Sequence, residues 1–336
     1  MSDDLAGAPV TVPGRTVVTG AAGFIGSHVA EALLGYGSQV LGIDSCLRDP
    51  DGVGRNLAPL ERHDGFRLLR ADLLDVTAEE FEGVDTVFHL AAQPGVRTSW
   101  GSRFGQYCDS NILATHRVME AAAAAGVRRV VVSSSSSVYG RTDVAAFDES
   151  LAPSPMSPYG VTKLAGEQLA LVHAMRPDAT VSVIALRYFT VYGPRQRDDM
   201  AIGRMIRAAL TGEPMTVFGD GRQQRDFTFV GDVVRANLLA MGADARTAVV
   251  NVGTGEIVTV LDLLDLVGEV TGRPVPVTFA PAEAGDVPFT RADVKEAERV
   301  IGYRSAVSLR EGLQRQLEWM SATGGVPGAA QVRPSR

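Results

Sequence analysis

Residues 15–34 read Arg15-Thr-Val-Val-Thr-Gly20-Ala-Ala-Gly23-Phe-Ile-Gly26-Ser-His-Val-Ala-Glu-Ala-Leu-Leu34. A β-branched run of strand length ends in a glycine, two more glycines follow at intervals of three, and a helical apolar pattern starts at once. Such glycines let the chain turn tightly, let its backbone approach a pyrophosphate, and let the helix pack closely on the strand. The helix N-terminus adds free N–H groups and a partial positive charge. The spacing predicts a strand over Arg15–Thr19, a helix near Ile25–Gly35 and an anion-binding turn between them.

Outward from this stretch, strand-length apolar runs keep alternating with longer helical segments. Strands are expected at Gln39–Asp44, Phe66–Arg70, Thr86–His89, Arg129–Ser133 and Val181–Arg187, with helices at Phe104–Ala125 and Pro158–Met175. The last has a start signal, Ser157 as cap and Pro158 in the first turn, where a missing N–H costs nothing. The alternation predicts an α/β fold, a Rossmann-type doubly wound parallel sheet. After about Val191 the chain turns to connections rich in Gly, Pro and charge, interleaved with helices near Met200–Leu210, Val230–Met241, Val260–Val270 and Leu309–Met320. A strand at Val249–Val252 is expected to return to the main sheet. The expected division is a flexible leader (1–14), a dinucleotide-binding domain (15–190), a smaller substrate-binding lobe with segments returning to the first domain (191–323), and a flexible tail (324–336).

Asp44 closes the second strand 24 residues after Gly20, where a carboxylate accepts hydrogen bonds from a ribose diol and repels a 2′-phosphate, so NAD is expected rather than NADP. Tyr159 and Lys163 are four apart on a helix and share a face. A phenol titrates near 10 and is a poor base at neutral pH. A neighbouring ammonium and the positive ring of an oxidised nicotinamide favour the phenolate, which makes Tyr159 the expected general base. Five serines, Ser133 to Ser137, stand at the carboxyl end of the fifth strand, where open α/β sheets place ligands.

Composition narrows the partners. Among 336 residues, 45% hydrophobic and 21% charged, 32 Lys and Arg face 39 Asp and Glu, a formal charge of −7. That balance argues against nucleic acid as a partner. Cys46 and Cys108 fit no metal or redox spacing, no run is long enough to span a bilayer, and the leader lacks the features of a secretory signal, so a cytoplasmic protein without a membrane partner is expected. The five histidines (His28, His63, His89, His116, His173) show no His-x-x-x-His pairing, so no metal site is expected and core or surface roles suffice.

With these elements in hand, the chain resembles the extended short-chain dehydrogenase/reductase family, in particular its NAD-dependent nucleotide-sugar epimerases and dehydratases. The likeness rests on Gly20-x-x-Gly23-x-x-Gly26, Asp44, Ala71-Asp72-Leu73, His89-Leu90-Ala91-Ala92, Ser135 with Val138-Tyr139-Gly140, and Tyr159-x-x-x-Lys163. It continues through Leu186-Arg187-Tyr188-Phe189, Val191-Tyr192-Gly193-Pro194-Arg195, Gly219-Asp220-Gly221 and Arg225-Asp226-Phe227. The resemblance implies a cofactor site of Gly20, Gly23, Phe24, Ile25, Gly26, Asp44, Ser45, Asp72, Leu73, Leu90, Ala91, Ala92, Gln93, Asn111, Tyr159, Lys163 and Tyr188. Asp72 and Leu73 would flank adenine, Asn111 and Lys163 would lie at the nicotinamide ribose, and Ser135 would assist Tyr159. It also implies a homodimer.

The family's reactions share a first step, oxidation at C4 of the sugar to a 4-keto intermediate, and differ afterwards. Dehydratases of the family resemble one another in an acidic pair after the catalytic hydroxyl, and decarboxylases in a Glu before Val-Tyr. Ser136 and Ser137 stand there instead and are no bases at neutral pH, which favours epimerisation. Arg187-Tyr188-Phe189-Thr190 departs from the Arg-Tyr-Phe-Asn of UDP-glucose 4-epimerases, and the run through Tyr192-Gly193-Pro194 looks like UDP-glucuronate 4-epimerases. The expected reaction is UDP-glucuronate to UDP-galacturonate, with UDP-glucose 4-epimerase, UDP-glucuronate decarboxylase and a non-catalytic nucleotide-sugar sensor as alternatives. Ser136, Ser137 and Thr190 would hold the carboxylate, with Arg195 or Arg197 as charged helpers. By resemblance, Arg225 would bind the diphosphate and Asp286 the nucleotide ribose, while Glu283 replaces a second family arginine.

Overall fold

The structure is a computed structural model that describes residues 14–47, 50–141, 144–281 and 287–324. The expected leader and tail lie outside these residues but for Gly14 and Gly324. The first half runs β1 (Arg15–Thr19), α1 (Phe24–Gly35), β2 (Gln39–Asp44), α2 (Pro50–Leu57), β3 (Phe66–Arg70), β4 (Thr86–His89), α3 (Phe104–Cys108), α4 (Ala114–Ala124), β5 (Arg129–Ser135), α5 (Pro158–Met175) and β6 (Ser182–Tyr188). The second half adds β7 (Thr190–Tyr192), α6 (Ala201–Thr211), β8 (Met215–Phe218), β9 (Gln224–Arg225), β10 (Phe227–Phe229), α7 (Val230–Met241), β11 (Thr247–Val252), β12 (Val258–Thr259), α8 (Val260–Thr271), β13 (Val277–Ala280), α9 (Lys295–Ile301) and α10 (Leu309–Ala322).

Seven strands form one parallel sheet in the order β11-β6-β5-β4-β1-β2-β3. Its inner strands are covered on both faces, which is why they read as unbroken apolar runs rather than alternations. One face packs α1, α7 and α9 through Val29, Leu33, Val233, Val234 and Ile301, and the other packs α4 and α5 through Val118, Met119, Ala170 and Ala174. The chain moves outward in one direction from β1 to β3 and in the other from β4 to β11. The crevice beyond the ends of β1 and β4 is therefore the switch point at which such sheets take ligands. A second core joins α6, α8 and α10 with β8 and β10 through Ile206, Val217, Phe229, Leu263 and Leu317.

Two departures from the expected elements are imposed by distant parts of the chain. The helix expected over Phe104–Ala125 is broken by a π turn at Asp109–Leu113. There the Asn111 amide donates to the Gln93 carbonyl (3.1 Å) and to Thr162 Oγ1 on α5 (3.0 Å), and accepts from the Gln93 N–H (2.7 Å). The bulge turns this side chain inward. Gly166 on α5 lets it happen, since a Cβ there would stand 2.5 Å from the Asn111 carbonyl oxygen. The small strands β7 to β10, β12 and β13 were not anticipated, because runs of two to four residues carry no period and exist only through their partners: β7 with β10, β8 with β13, β9 with β12. Ser157 caps α5 as expected, its hydroxyl accepting from the Gly160 N–H at 3.1 Å.

The glycine turn yields a prediction. A Cβ on Gly26 would lie 2.0 Å from the Gly20 carbonyl oxygen, whereas one on Gly35, on the same helix, meets nothing within 4 Å. Gly26→Ala is expected to abolish NAD binding in calorimetric titration and to lower stability by about 1–3 kcal/mol. Gly35→Ala is expected to leave NAD binding unchanged, so equal affinity in the two variants would contradict close packing at this turn.

Candidate active site

A cavity of about 650 Å³ opens at the carboxyl ends of the strands, from the β2–β3 side across β1 and β4 to β5 and β6. At its first end lies the glycine turn. Gly20 has a φ of 71°, and a Cβ on it would stand 2.8 Å from the Ala91 backbone, so only bare backbone fits against the loop after β4. Thr19 Oγ1 sets that loop by accepting from the N–H groups of Leu90 and Ala91, both at 3.2 Å. Asp44 accepts from the Ala22 N–H (3.1 Å) and the Cys46 N–H (2.8 Å), each through a different oxygen, and retains lone pairs toward the cavity. Glycines that tolerate no side chain, a helix N-terminus and a carboxylate at the next strand end fit a dinucleotide whose 2′-hydroxyl is free. Gly23, Phe24, Ile25, Gly26, Ser45, Asp72, Leu73 and Ala92 line the same cavity.

At the other end stand Ser133 to Ser137, Tyr159, Lys163, Tyr188, Phe189, Thr190, Arg195 and Arg197. Three strand spacings separate β5 from β2, roughly 14 Å. The acids and the catalytic residues thus sit at opposite ends. Asp44 and Asp72 are the only carboxylates among the described residues lining the cavity.

Tyr159 is placed by α5 between the Ser135 hydroxyl, to which it hydrogen-bonds, and the ring of Tyr107, met edge-on at 6.3 Å between centroids. Lys163 Nζ donates to the Ser133 carbonyl (2.5 Å) and reaches Ser133 Oγ at 3.3 Å. The electrostatics differ from the expectation. Burial pushes the Tyr159 phenol up, and the Ser135 hydrogen bond and the Arg197 charge oppose it. Lys163 is itself lowered to about 8 by burial, held up in part by Glu167. With its ammonium turned to Ser133, activation of the phenol is left to Ser135 and to the positive charge of the cofactor ring.

Glu167 and Arg187 were not anticipated as a pair. Glu167 is wholly buried on α5, where it accepts from Ser134 Oγ of β5 (2.6 Å) and binds the Arg187 guanidinium of β6 through both oxygens (2.7 and 2.9 Å). Arg187 stacks over Tyr139 at 4.7 Å, and the Tyr139 hydroxyl donates to Asn251 of β11 at 2.8 Å. The available signal was spacing, since Glu167 follows Lys163 by four and Tyr159 by eight residues on one helical face.

Several expected site residues are placed otherwise. Gln93 and Asn111 do not line the cavity and bind each other instead. The Tyr188 hydroxyl turns to Asn237 of α7. Arg195 is paired with Glu31 of α1 at 2.7 Å, and Arg197 meets Asp199 through two bonds of 2.9 Å, so neither guanidinium is held ready for a substrate carboxylate alone. Arg225 does not line the cavity, and its guanidinium donates to the Gln224 carbonyl at 2.8 Å. Asp226 beside it is structural, accepting from Thr254, Gly255 and Ala292 backbone N–H groups. Asp286 and Glu283 lie outside the described residues.

Residues 16–253 match the NAD dependent epimerase/dehydratase family, and the chain belongs to that family. NAD is its cofactor, and the glycine turn with Asp44 fits it. Among curated relatives, an uncharacterized UDP-glucose epimerase, YtcB of Bacillus subtilis, is 41% identical over 92% of this chain and 98% of its own length. The UDP-glucuronate 4-epimerase of Thermodesulfobacterium geofontis is 33% identical over 91% of this chain and 96% of its own. Among solved structures, MoeE5 in complex with UDP-glucuronic acid and NAD is 48% identical with a TM-score of 0.85, covering 92% of this chain and 100% of that one. The Bacillus cereus UDP-glucuronic acid 4-epimerase with UDP-glucuronic acid and NAD is 38% identical with a TM-score of 0.87, covering 92% and 99%.

Two outcomes are expected. Tyr159→Phe should drop turnover below about a tenth of wild type while NAD still binds in titration; a rate above that level would remove the phenol as the base. Glu167→Gln removes the charge that holds Lys163 up, so the alkaline limb of the Lys163 titration, which lies near 8 and is read by NMR of the labelled side chain, should begin at lower pH. The same variant should lose about 3–5 kcal/mol of stability by stranding Arg187. A limb that stays put or moves to higher pH would contradict the coupling.

Proposed function

We propose that the chain interconverts UDP-glucuronate and UDP-galacturonate. The coarser activity, NAD-dependent 4-epimerisation of a UDP-sugar, follows from the family and from relatives such as the UDP-glucuronate 4-epimerases. The finer reading is carried by the distribution of charge in the cavity. The reacting end has hydroxyls and cations but no carboxylate among the described lining residues, so nothing there repels an acidic sugar or takes a proton from its C5. The family resemblance of Phe189-Thr190 through Pro194 supports the same substrate.

In this reading Tyr159, assisted by Ser135, takes the proton from the C4 hydroxyl as the C4 hydride leaves, and returns it when the hydride comes back. NAD, when bound, accepts and returns that hydride. Between the two steps the 4-keto sugar presents its other face. A 4-keto uronate is a β-keto acid and loses CO2 when its carboxylate stands perpendicular to the carbonyl plane. Ser136, Ser137 and Thr190 are the donors proposed to keep it out of that orientation. Arg195 and Arg197, already paired with Glu31 and Asp199, serve as background charge. Arg225 and Asp286 remain the proposed diphosphate and ribose contacts.

A homodimer through α4 and α5 belongs to the same proposal. Val161, Val172 and Met175 are exposed at spacings of 11 and 14 residues, which repeat one face of α5, and Leu113, just before α4, is exposed as well. No helix among the described residues is long and apolar enough to cross a membrane.

The test is incubation of the purified protein and NAD with UDP-glucuronate or UDP-glucose, read by NMR. UDP-glucuronate is expected to be inverted at C4 with the higher kcat/KM and without pentose. Ser136→Ala or Thr190→Ala should then release UDP-pentose and CO2. Preference for UDP-glucose would overturn the uronate reading, and leak-free variants would overturn the role of these hydroxyls.

A further inference from the structure

Away from the cavity, three side chains that sequence spacing left unconnected meet on the outer face of α4 and α5. His116 and Glu120 are one turn apart on α4, and His173 reaches them from the last turn of α5. His173 Nε2 lies 3.4 Å from Glu120 Oε1 and 3.5 Å from His116 Nδ1, and one ligand atom from each residue falls within 4.8 Å of the others. These separations are long for hydrogen bonds, whose usual length is about 2.9–3.0 Å. They match the edge of a tetrahedron around an ion bound at about 2.0–2.1 Å, which is about 3.3–3.4 Å.

We propose that His116, Glu120 and His173 form a binding site for a divalent transition metal of the zinc class, tying α4 to α5. Two imidazoles and one carboxylate select Zn2+, Co2+ or Ni2+ over Mg2+ and Ca2+, which take oxygen ligands. His173 suits the role physically. Only 7% of it is exposed, so its ring is held by the packing around α5. Its Nε2 is the nitrogen that faces the other two ligands, and its Nδ1 is buried without a partner. His116 and Glu120 are exposed on the single chain, on the face of α4 and α5 that the proposed homodimer also uses, and a fourth position is left to water. None of the three lines the NAD cavity, so the ion would brace the helix that carries Tyr159 and Lys163 without touching the chemistry. The His-x-x-x-His pattern sought in the sequence is absent because the fold supplies the second histidine from another helix.

The test uses full-length protein stripped with a chelator and titrated with Co2+ and with Zn2+ against a chromophoric competitor, alongside thermal melting. Wild type is expected to take up one equivalent, to show the visible bands of four- or five-coordinate Co2+, and to melt at a higher temperature with Zn2+. His116→Ala and Glu120→Gln, both surface changes, should each weaken uptake at least about tenfold and remove the melting shift, with epimerase turnover unchanged. His63→Ala, at an exposed histidine elsewhere, should behave as wild type. Absence of stoichiometric uptake by wild type, or uptake that His116→Ala leaves intact, would overturn the site.

Discussion

One buried carboxylate holds the reacting end of this molecule together. Glu167 has no access to water, and it binds α5 to β5 through Ser134 and to β6 through both nitrogens of an Arg187 fork. Tyr159 and Lys163 precede it on the same helical face, so their distance from Ser133 and Ser135 is set by this contact. Desolvating both charges costs several kcal/mol, and a hydrophobic pair of equal volume often serves stability as well. What an apolar pair lacks is direction. A bidentate fork fixes the rotation and height of the helix against two strands, and the charge left on Glu167 reaches the Lys163 ammonium.

The sheet supplies the second constraint. Because the strand order reverses between β1 and β4, the glycine turn and its two acids are sent to one side and the hydroxyl-rich end of β5 to the other. Among the described lining residues, a long ligand laid across that crevice meets carboxylates only at the end held by Asp44 and Asp72. Among the described lining residues the same separation leaves the reacting end without a carboxylate base, which suits a reaction that moves a hydride away and back and removes nothing else.

The parts legible in the sequence were those written in local pattern. The glycine spacing, the β-branched strands and the Ser157-Pro158 start of α5 each depend on neighbours within a few residues, and the structure has each of them. Of the expected cofactor residues from β1 to β6, all but Gln93 and Asn111 line the cavity, because strand ends determine where they point. The parts that were not legible depend on distant partners. Asn111 was expected near the cofactor ribose, but Gln93, Thr162 and the gap at Gly166 together turn it into a brace and open a π turn. Arg195 and Arg197 are expected as charged helpers, and the fold pairs them with Glu31 and Asp199. The pairing of His116 with His173 spans 57 residues and has no local period.

In the proposed reaction hydrogen leaves and returns to the same carbon within one cavity, with Tyr159 moving only the hydroxyl proton. UDP-glucuronate carrying deuterium at C4 tests it directly, with the product analysed by NMR and mass spectrometry after turnover in ordinary water. The account predicts UDP-galacturonate that keeps the deuterium at C4, whereas replacement of that label by solvent hydrogen would contradict it.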